Sequence, residues 1–323
     1  PHITPCPTRC LSHSAGQSPG PQPPVLTEGL PAGLEITPGE LRRDLGRRQG
    51  GHGRGDRQKI EVDAGRFVGG VRGGYTIGSP VAIVLENRDH ANWLAEMTPL
   101  KEGFEPKPVT QLRPGHADLA GVLKYGHDDI RNVLERSSAR ETASRVAAGA
   151  VCRKLLARFG VEILSFSQSI GEVDIGFETV DAATVTSEEI ETSVVRCPDS
   201  MASERMVEAI DEAGDRGDTL GGTFRVVARG LPPGLGSYVH WDRKLDARLA
   251  MAMVSINAVK GVDFGPGFYG AHRPRSQFHD QTVPSQGTHP HPRTRARPGP
   301  VGRPTPAPPR HPTTRTPPRP RTH

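Results

Sequence analysis

Aromatic residues are scarce in this 323-residue chain, at 5%, and apolar residues together reach only 34%. Both values are low for a compact enzyme, so a core must come from segments that concentrate aliphatic side chains. No run of about 18 apolar residues occurs, which argues against a membrane-spanning helix. No charged-then-apolar leader opens the chain either. Cysteine is rare: Cys6, Cys10, Cys152 and Cys197. Cys6 and Cys10 make half of a metal-ligand pattern, but no second Cys/His pair stands nearby at ligand spacing. The expectation is therefore a soluble, cytoplasmic protein with reduced thiols, no metal and no membrane partner.

Acidic residues are missing from one stretch. Gln281 to His323 holds 13 prolines and 8 arginines but no Asp or Glu. Without it, 33 Lys and Arg face 36 Asp and Glu, about −3, so the net +5 belongs to the tail. A segment of this composition reads as disordered. It carries no aromatic interleaving, so non-specific electrostatic contact is the most it offers a nucleic acid, and no specific nucleic-acid partner is expected.

Glycine (38) and proline (32) are abundant and punctuate the rest. Residues 1–27, rich in Pro, Ser and Thr, read as irregular. Thr37, Pro38 and Glu40 then form a Thr-x-x-Glu capping box that starts a helix running to about Gln49, before Gly50 and Gly51. Lys59–Asp63, Phe67–Val71 and Val81–Glu86 are strand-like. The clearest helical pattern spans Ala139–Phe159, with Val146, Ala150, Leu155 and Phe159 on one face and Gly160 as the stop. A strand at Val161–Phe166, a helix at Met201–Gly214 and a strand at Thr223–Ala228 follow. A last helix is read over Leu245–Lys260, with Leu249, Met253 and Ile256 at core spacing. This mixture predicts one α/β (α+β) domain over 28–280, between an irregular start and a disordered tail.

Three clusters carry chemistry. Arg47-Arg48-Gln49-Gly50-Gly51-His52-Gly53-Arg54-Gly55-Asp56-Arg57 sets arginines among glycines, which lets guanidinium forks and backbone N–H groups approach a phosphate or carboxylate. A flexible basic loop is the plainer alternative. Arg113-Pro114-Gly115-His116-Ala117-Asp118 puts a histidine on a rigid turn, suited to proton transfer near neutral pH or simply to a structural bond. Glu135-Arg136-Ser137-Ser138-Ala139-Arg140-Glu141-Thr142 opens the long helix. Its serines and first-turn N–H groups suit a phosphate or flavin, or plain capping by Ser138.

In this order the clusters resemble chorismate synthase. Arg136-Ser-Ser-Ala-Arg-Glu-Thr-Ala-Ser-Arg-Val-Ala-Ala-Gly-Ala-Val151 is similar to a signature of that family along its whole length. Gly53–Glu61, Arg113–Asp118 and Lys124–Arg131 match upstream motifs, and Gly217–Gly222, Gly230–Gly236 and Ile256–Gly261 match downstream ones. The resemblance implies a β-α-β sandwich, with a helical core flanked by antiparallel sheets, assembled as a homotetramer. It implies anti-1,4 elimination of phosphate from 5-enolpyruvylshikimate 3-phosphate, giving chorismate in the shikimate pathway for aromatic amino acid biosynthesis. The family requires reduced FMN, which is thought to lend an electron transiently and help remove the ring proton. The substrate's two carboxylates and phosphate suit an arginine-rich cavity.

By position, the resemblance makes Arg48, Arg54, Arg113 and Arg140 anion binders, with Arg48 and Arg54 also matching NADPH contacts. It makes Arg136, Ser137, Ser138, Asn257 and Ala258 FMN contacts, and His116 a proton-handling catalytic residue.

The match breaks at both ends. Where the family has Gly-(Asp/Glu)-Ser-His-Gly, this chain has Gly16-Gln17-Ser18-Pro19-Gly20, and proline has no ionisable group with which to act as an acid. Beyond Asp280 the family's Thr-Asn-x-x-Gly-Gly, Lys-Pro and Arg-Ser-Asp motifs are not found, and the tail resembles a GC-rich gene read out of frame. Three readings follow: an active chorismate synthase, a catalytically inactive remnant of one, and a non-specific nucleic-acid binder acting through its tail.

Overall fold

The computed structural model describes residues 10–15, 22–54, 63–138, 140–272, 274, 281–283 and 291–293. Two antiparallel sheets organise the chain. The first joins β1 (Leu11–Ser14), β2 (Pro24–Glu28), β3 (Gly65–Gly69) and β6 (Val81–Leu85) in the order β1-β2-β6-β3. Val81, Ile83 and Leu85 alternate inward along β6 and are fully buried, the period-2 pattern of a strand with one covered face. A small hairpin, β4 (Val71–Arg72) and β5 (Tyr75–Thr76), lies between β3 and β6 in the chain.

Two helices cover that sheet. In α1 (Pro38–Gln49) the capping box is complete, and Leu41 and Leu45, one turn apart, are buried. Each such fully buried leucine contributes about 1.5–3 kcal/mol over an exposed one. After α2 (Asp118–Tyr125) and α3 (Arg131–Ser137) comes α4 (Glu141–Ala157), whose buried face is Ala143, Ser144, Ala147, Ala148, Ala150 and Val151. These small side chains let α4 sit close to its neighbours. It packs against β1, β2 and β6 of the first sheet and against β7 (Glu162–Ile170) of the second.

The second sheet runs β8-β7-β9, with β8 at Val173–Asp174 and β9 at Gly222–Arg229. Helices α5 (Ser187–Glu191) and α6 (Ser200–Asp215) close a second core around Phe166, Ile190 and Met206. Helices α7 (Leu245–Val254) and α8 (Gly267–Gly270) follow, then a pair of short strands, β10 (Gln281–Val283) and β11 (His291–Arg293). The expected α/β fold, with helices against antiparallel sheets, is what the chain adopts. No helix among the described residues is long and apolar enough to cross a membrane.

Several local expectations need correction. Residues 1–27 are not irregular throughout, since β1 and β2 lie there. Pro24 is tolerated because it is the first residue of its strand, where a missing N–H costs little. The helix read from Ala139 starts at Glu141, after the separate α3, and ends at Ala157. Phe159 therefore lies beyond it and is 64% exposed. The last long helix stops at Val254, where Ser255 Oγ donates to Ala252 O at 2.6 Å, and Ala258 adopts φ 70°. None of its residues is buried and Leu249 is exposed; among the described residues the turn at Trp241–Arg243 lies against it, and no sheet or long helix packs over it extensively. Of the Lys59–Asp63 stretch, all but Asp63 lies outside the described residues, as does Gly16–Gly20. Within the tail, the described residues Gln281–Val283 and His291–Arg293 pair as β10 and β11.

Candidate functional site

The C-terminal end of α1 delivers Arg48 to the start of α4. Arg48 Nη1 donates to Asp63 Oδ2 at 2.7 Å, while its Nε and Nη2 each reach Thr142 Oγ1 at 3.2 Å. The side chain of Asp63 is fully buried, and its other oxygen takes Arg140 Nη1. Arg140 Nη2 also donates to the Glu86 carbonyl at 2.6 Å. One buried carboxylate thus orients two guanidinium groups and neutralises one of them. The surplus positive charge sits at the N-terminal end of α4, where the helix dipole adds to it.

Arg54 joins this group through a glycine loop. Gly53 has φ 71°, and a Cβ there would lie 2.5 Å from Ile210 Cγ2 of α6, so the loop touches the helix where only glycine fits. A Cβ on Gly51 would meet Arg196 Nη1 at 3.3 Å and Arg54 Nε at 3.4 Å, so both guanidiniums crowd the space beside this one glycine. Burial, then the charges of Arg196 and Arg48, push the Arg54 pKa below its ordinary value. Crowding like charges in this way costs free energy that a bound anion would recover. Nearby, His52 Nε2 meets Asp211 Oδ1 at 2.6 Å and holds the loop to α6.

Arg113 is fixed by Asp118, the first residue of α2. Its Nε and backbone N–H reach Asp118 Oδ2 at 3.0 and 2.9 Å, and Nη2 reaches Oδ1 at 2.9 Å. The hydrogen bond from Arg113 holds the buried Asp118 carboxyl below its ordinary range, against the opposing effect of burial. Arg113 Nη2 also reaches Ser137 Oγ at 3.4 Å, tying this turn to the end of α3. His116 lies on the same turn, with its N–H on the Arg113 carbonyl at 3.4 Å and its side chain exposed.

Arg113 bonds to Ser137, whose neighbour Ser138 accepts from Arg140, and Asp63 joins Arg140 to Arg48; Arg54 lies near enough to Arg48 for its charge to be felt. The four arginines singled out in the sequence form one arc. Ser138 Oγ accepts from the Arg140 N–H at 3.2 Å, a local turn bond rather than a helix cap. Arg136 points elsewhere: its Nη2 donates to Ser14 O and Ser14 Oγ at 3.1 and 2.9 Å. There it lines a cleft of about 300 Å³ with Ser12, His13, Glu141, Ser144 and Arg145. Asn257 and Ala258 are exposed beyond α7. Their region meets α4 where Arg145 Nη1 donates to Ser255 Oγ at 2.9 Å. No group of three or more His, Cys, Asp or Glu suited to a metal occurs among the described residues.

Reading the sequence missed Asp63 and Arg196, and placed Thr142 in a cluster without a role of its own. Asp63 lies 15 positions from Arg48 and 77 from Arg140, so no local pattern pairs them. Arg196 has φ 57°, with its Nη2 on the carbonyls of Arg47 and, at 3.2 Å, Gly50.

The chain is similar to known proteins over most of its length. The family model described as chorismate synthase matches residues 11–299. The chorismate synthase of Rubrobacter xylanophilus is 54% identical over 270 residues, covering 84% of this chain and 69% of that protein. That of Desulforudis audaxviator is 55% identical over 269 residues, covering 83% and 69%. That of Geobacillus thermodenitrificans is 51% identical over 282 residues, covering 85% and 72%. A solved structure described as chorismate synthase superimposes with a TM-score of 0.73 at 37% identity, covering 90% of this chain and 78% of that one.

Proposed function

The chain belongs to the chorismate synthase family of lyases, and we propose that it eliminates phosphate from 5-enolpyruvylshikimate 3-phosphate to give chorismate, using reduced FMN. The observation that carries this reading is the arginine arc at the start of α4. The substrate bears two carboxylates and a phosphate, and Arg48, Arg54, Arg113 and Arg140 are charge-assisted donors suited to them. Asp63 and Asp118 restrict the guanidiniums of Arg48, Arg140 and Arg113 before any ligand arrives, so little ordering is left to the moment of binding.

The residues present also fit a phosphorylated cofactor at its anionic end. Arg136 and Arg145 flank the cleft with the hydroxyls of Ser14 and Ser144, beside the single carboxylate of Glu141. Arg136, Ser137, Ser138, Asn257 and Ala258 are the residues we assign to FMN. When bound, the reduced flavin supplies a transient electron and assists removal of the ring proton. The chain's own part is to hold the substrate's three anionic groups and to deliver a proton from His116 to the departing phosphate. Proton transfer by a positioned histidine is typically worth about 10²–10⁴ in rate. Arg48 and Arg54 would also contact NADPH if the chain reduces its own flavin.

We extend the proposal to a cytoplasmic homotetramer. The exposed apolar side chains of Phe224 and Val226 on β9 and of Leu249 on α7 support burial against further copies. Pro19, in the position of the family's histidine, favours a second reading in which the fold and the anion site persist without turnover. Anaerobic incubation of 5-enolpyruvylshikimate 3-phosphate with the chain and chemically reduced FMN separates the two. Chorismate and inorganic phosphate in equal amounts support the first; neither product, with substrate still bound, supports the second.

A further inference from the structure

Cys10 and Cys152 stand 142 positions apart in sequence, yet their Sγ atoms are 3.9 Å apart. Cys10 is exposed and immediately precedes β1; Cys152 is half-buried on α4. We propose that the pair is an oxidisable dithiol, a modification site where a low-molecular-weight disulfide is reduced and an internal Cys10–Cys152 disulfide pins β1 to α4. The inference is independent of the elimination chemistry and uses none of its residues.

The pair has the asymmetry that thiol–disulfide exchange needs. The hydrogen bond from Cys152 brings the Cys10 pKa down to about 7, against the effect of burial, while the same contact and burial push the Cys152 thiol up. Cys10 therefore offers an accessible thiolate near neutral pH, where nucleophilicity and thiolate fraction are both high. Cys197 contrasts with it: buried, with its thiol pushed up by desolvation, it is an internal control.

The step balances. The Cys10 thiolate attacks one sulfur of the small disulfide, whose S–S bond breaks and releases one thiolate, leaving a mixed disulfide on Cys10. Cys152 gives its proton to that released thiolate and attacks Cys10 Sγ, expelling the second small thiolate, which takes up the proton that Cys10 lost on ionising. One protein S–S bond forms, two cysteines are oxidised and one external disulfide is reduced to two thiols.

Closing Sγ–Sγ from 3.9 Å to the bonded distance of about 2.05 Å falls mainly on β1, which among the described residues is an edge strand paired with β2. β1 also supplies Ser12, His13 and Ser14 to the Arg136 cleft, so the bond would fix one wall of that cleft to its floor on α4. A covalent link across so long a stretch of chain restricts the unfolded state strongly.

The test treats the full chain with oxidised glutathione, then digests it without reduction and sequences the linked peptides by mass spectrometry. The expected result is a Cys10–Cys152 peptide, a loss of two free thiols, and a melting temperature raised by several degrees. Dithiothreitol should reverse the rise, and Cys10→Ser and Cys152→Ser should each lack it. A Cys6–Cys10 peptide, a glutathione adduct on Cys10 that never resolves, or an unchanged thiol count would each overturn the proposal.

Discussion

Arg48 and Asp63 meet at 2.7 Å at the start of α4, and the Asp63 carboxylate that receives Arg48 is wholly buried and shared with Arg140. Removing its charge leaves two guanidiniums, both largely shielded from solvent, facing a neutral group. Asp63→Asn should therefore destabilise the fold by about 3–5 kcal/mol. Urea denaturation reads this directly. A loss below about 1 kcal/mol would mean that the two arginines find other partners and that Asp63 does not organise them.

Gly53 sets the position of Arg54. Gly53→Ala forces a side chain into a left-handed backbone, at a cost of about 1–2 kcal/mol, and into Ile210 as well. The double variant Gly53→Ala with Ile210→Ala removes the steric part only. Thermal melts should place Gly53→Ala below wild type by more than they place the double variant below a chain carrying Ile210→Ala alone. Equal gaps would show that the loop is not pressed against α6.

The capping box of α1 gives a pH signature. Burial raises the Glu40 pKa, but hydrogen bonds from Thr37 and Lys154 outweigh it and bring the carboxyl to about 2, from 4.5. A depressed carboxyl contributes stability that is complete above its unfolded pKa and disappears as pH falls through the folded one. The contribution should be lost between 4.5 and about 2, and Glu40→Gln should flatten this part of the melting profile. Thr37→Ala should cost about 1 kcal/mol near neutral pH. An acid limb identical in wild type and Glu40→Gln would remove the assignment.

Pro19 stands where the family has a histidine, and its structure lies outside the described residues. Restoring the acid with Pro19→His should raise turnover of 5-enolpyruvylshikimate 3-phosphate by about 10²–10⁴-fold. Equal rates before and after would show either that another group serves as the acid or that the flavin site limits the chain.

What was legible in the sequence was whatever local chemistry decides. Thr37, Pro38 and Glu40 announce α1 because capping involves only neighbouring residues, and the structure keeps every element of it. Val81–Glu86 announces β6 as an apolar run set off by Pro80, and the structure buries alternate residues of it, Val81, Ile83 and Leu85. β1 and β2 were hidden because proline density outweighs strand propensity in a reading by composition, whereas pairing with β6 decides the outcome. α7 shows the converse. Leu249, Met253 and Ile256 have core spacing, yet spacing cannot say whether a partner surface lies within the same chain. The arginine arc divides along the same line: Arg48, Arg54, Arg113 and Arg140 were visible as motif residues. The carboxylate that joins two of them was not, since Asp63 meets both only through the packing of β3, α1 and α4.

The most direct test of the arc as the substrate site is the affinity for 5-enolpyruvylshikimate 3-phosphate by titration calorimetry, in wild type and Arg54→Ala. Arg54 is exposed on one side and crowded by the charges of Arg196 and Arg48, so its loss should not lower the melting temperature. The account predicts one site per chain, binding that weakens as salt rises, and affinity about 10–100-fold lower in Arg54→Ala, the equivalent of about 1.4–2.8 kcal/mol. No binding by the wild type, or equal affinity in the two proteins, would contradict it.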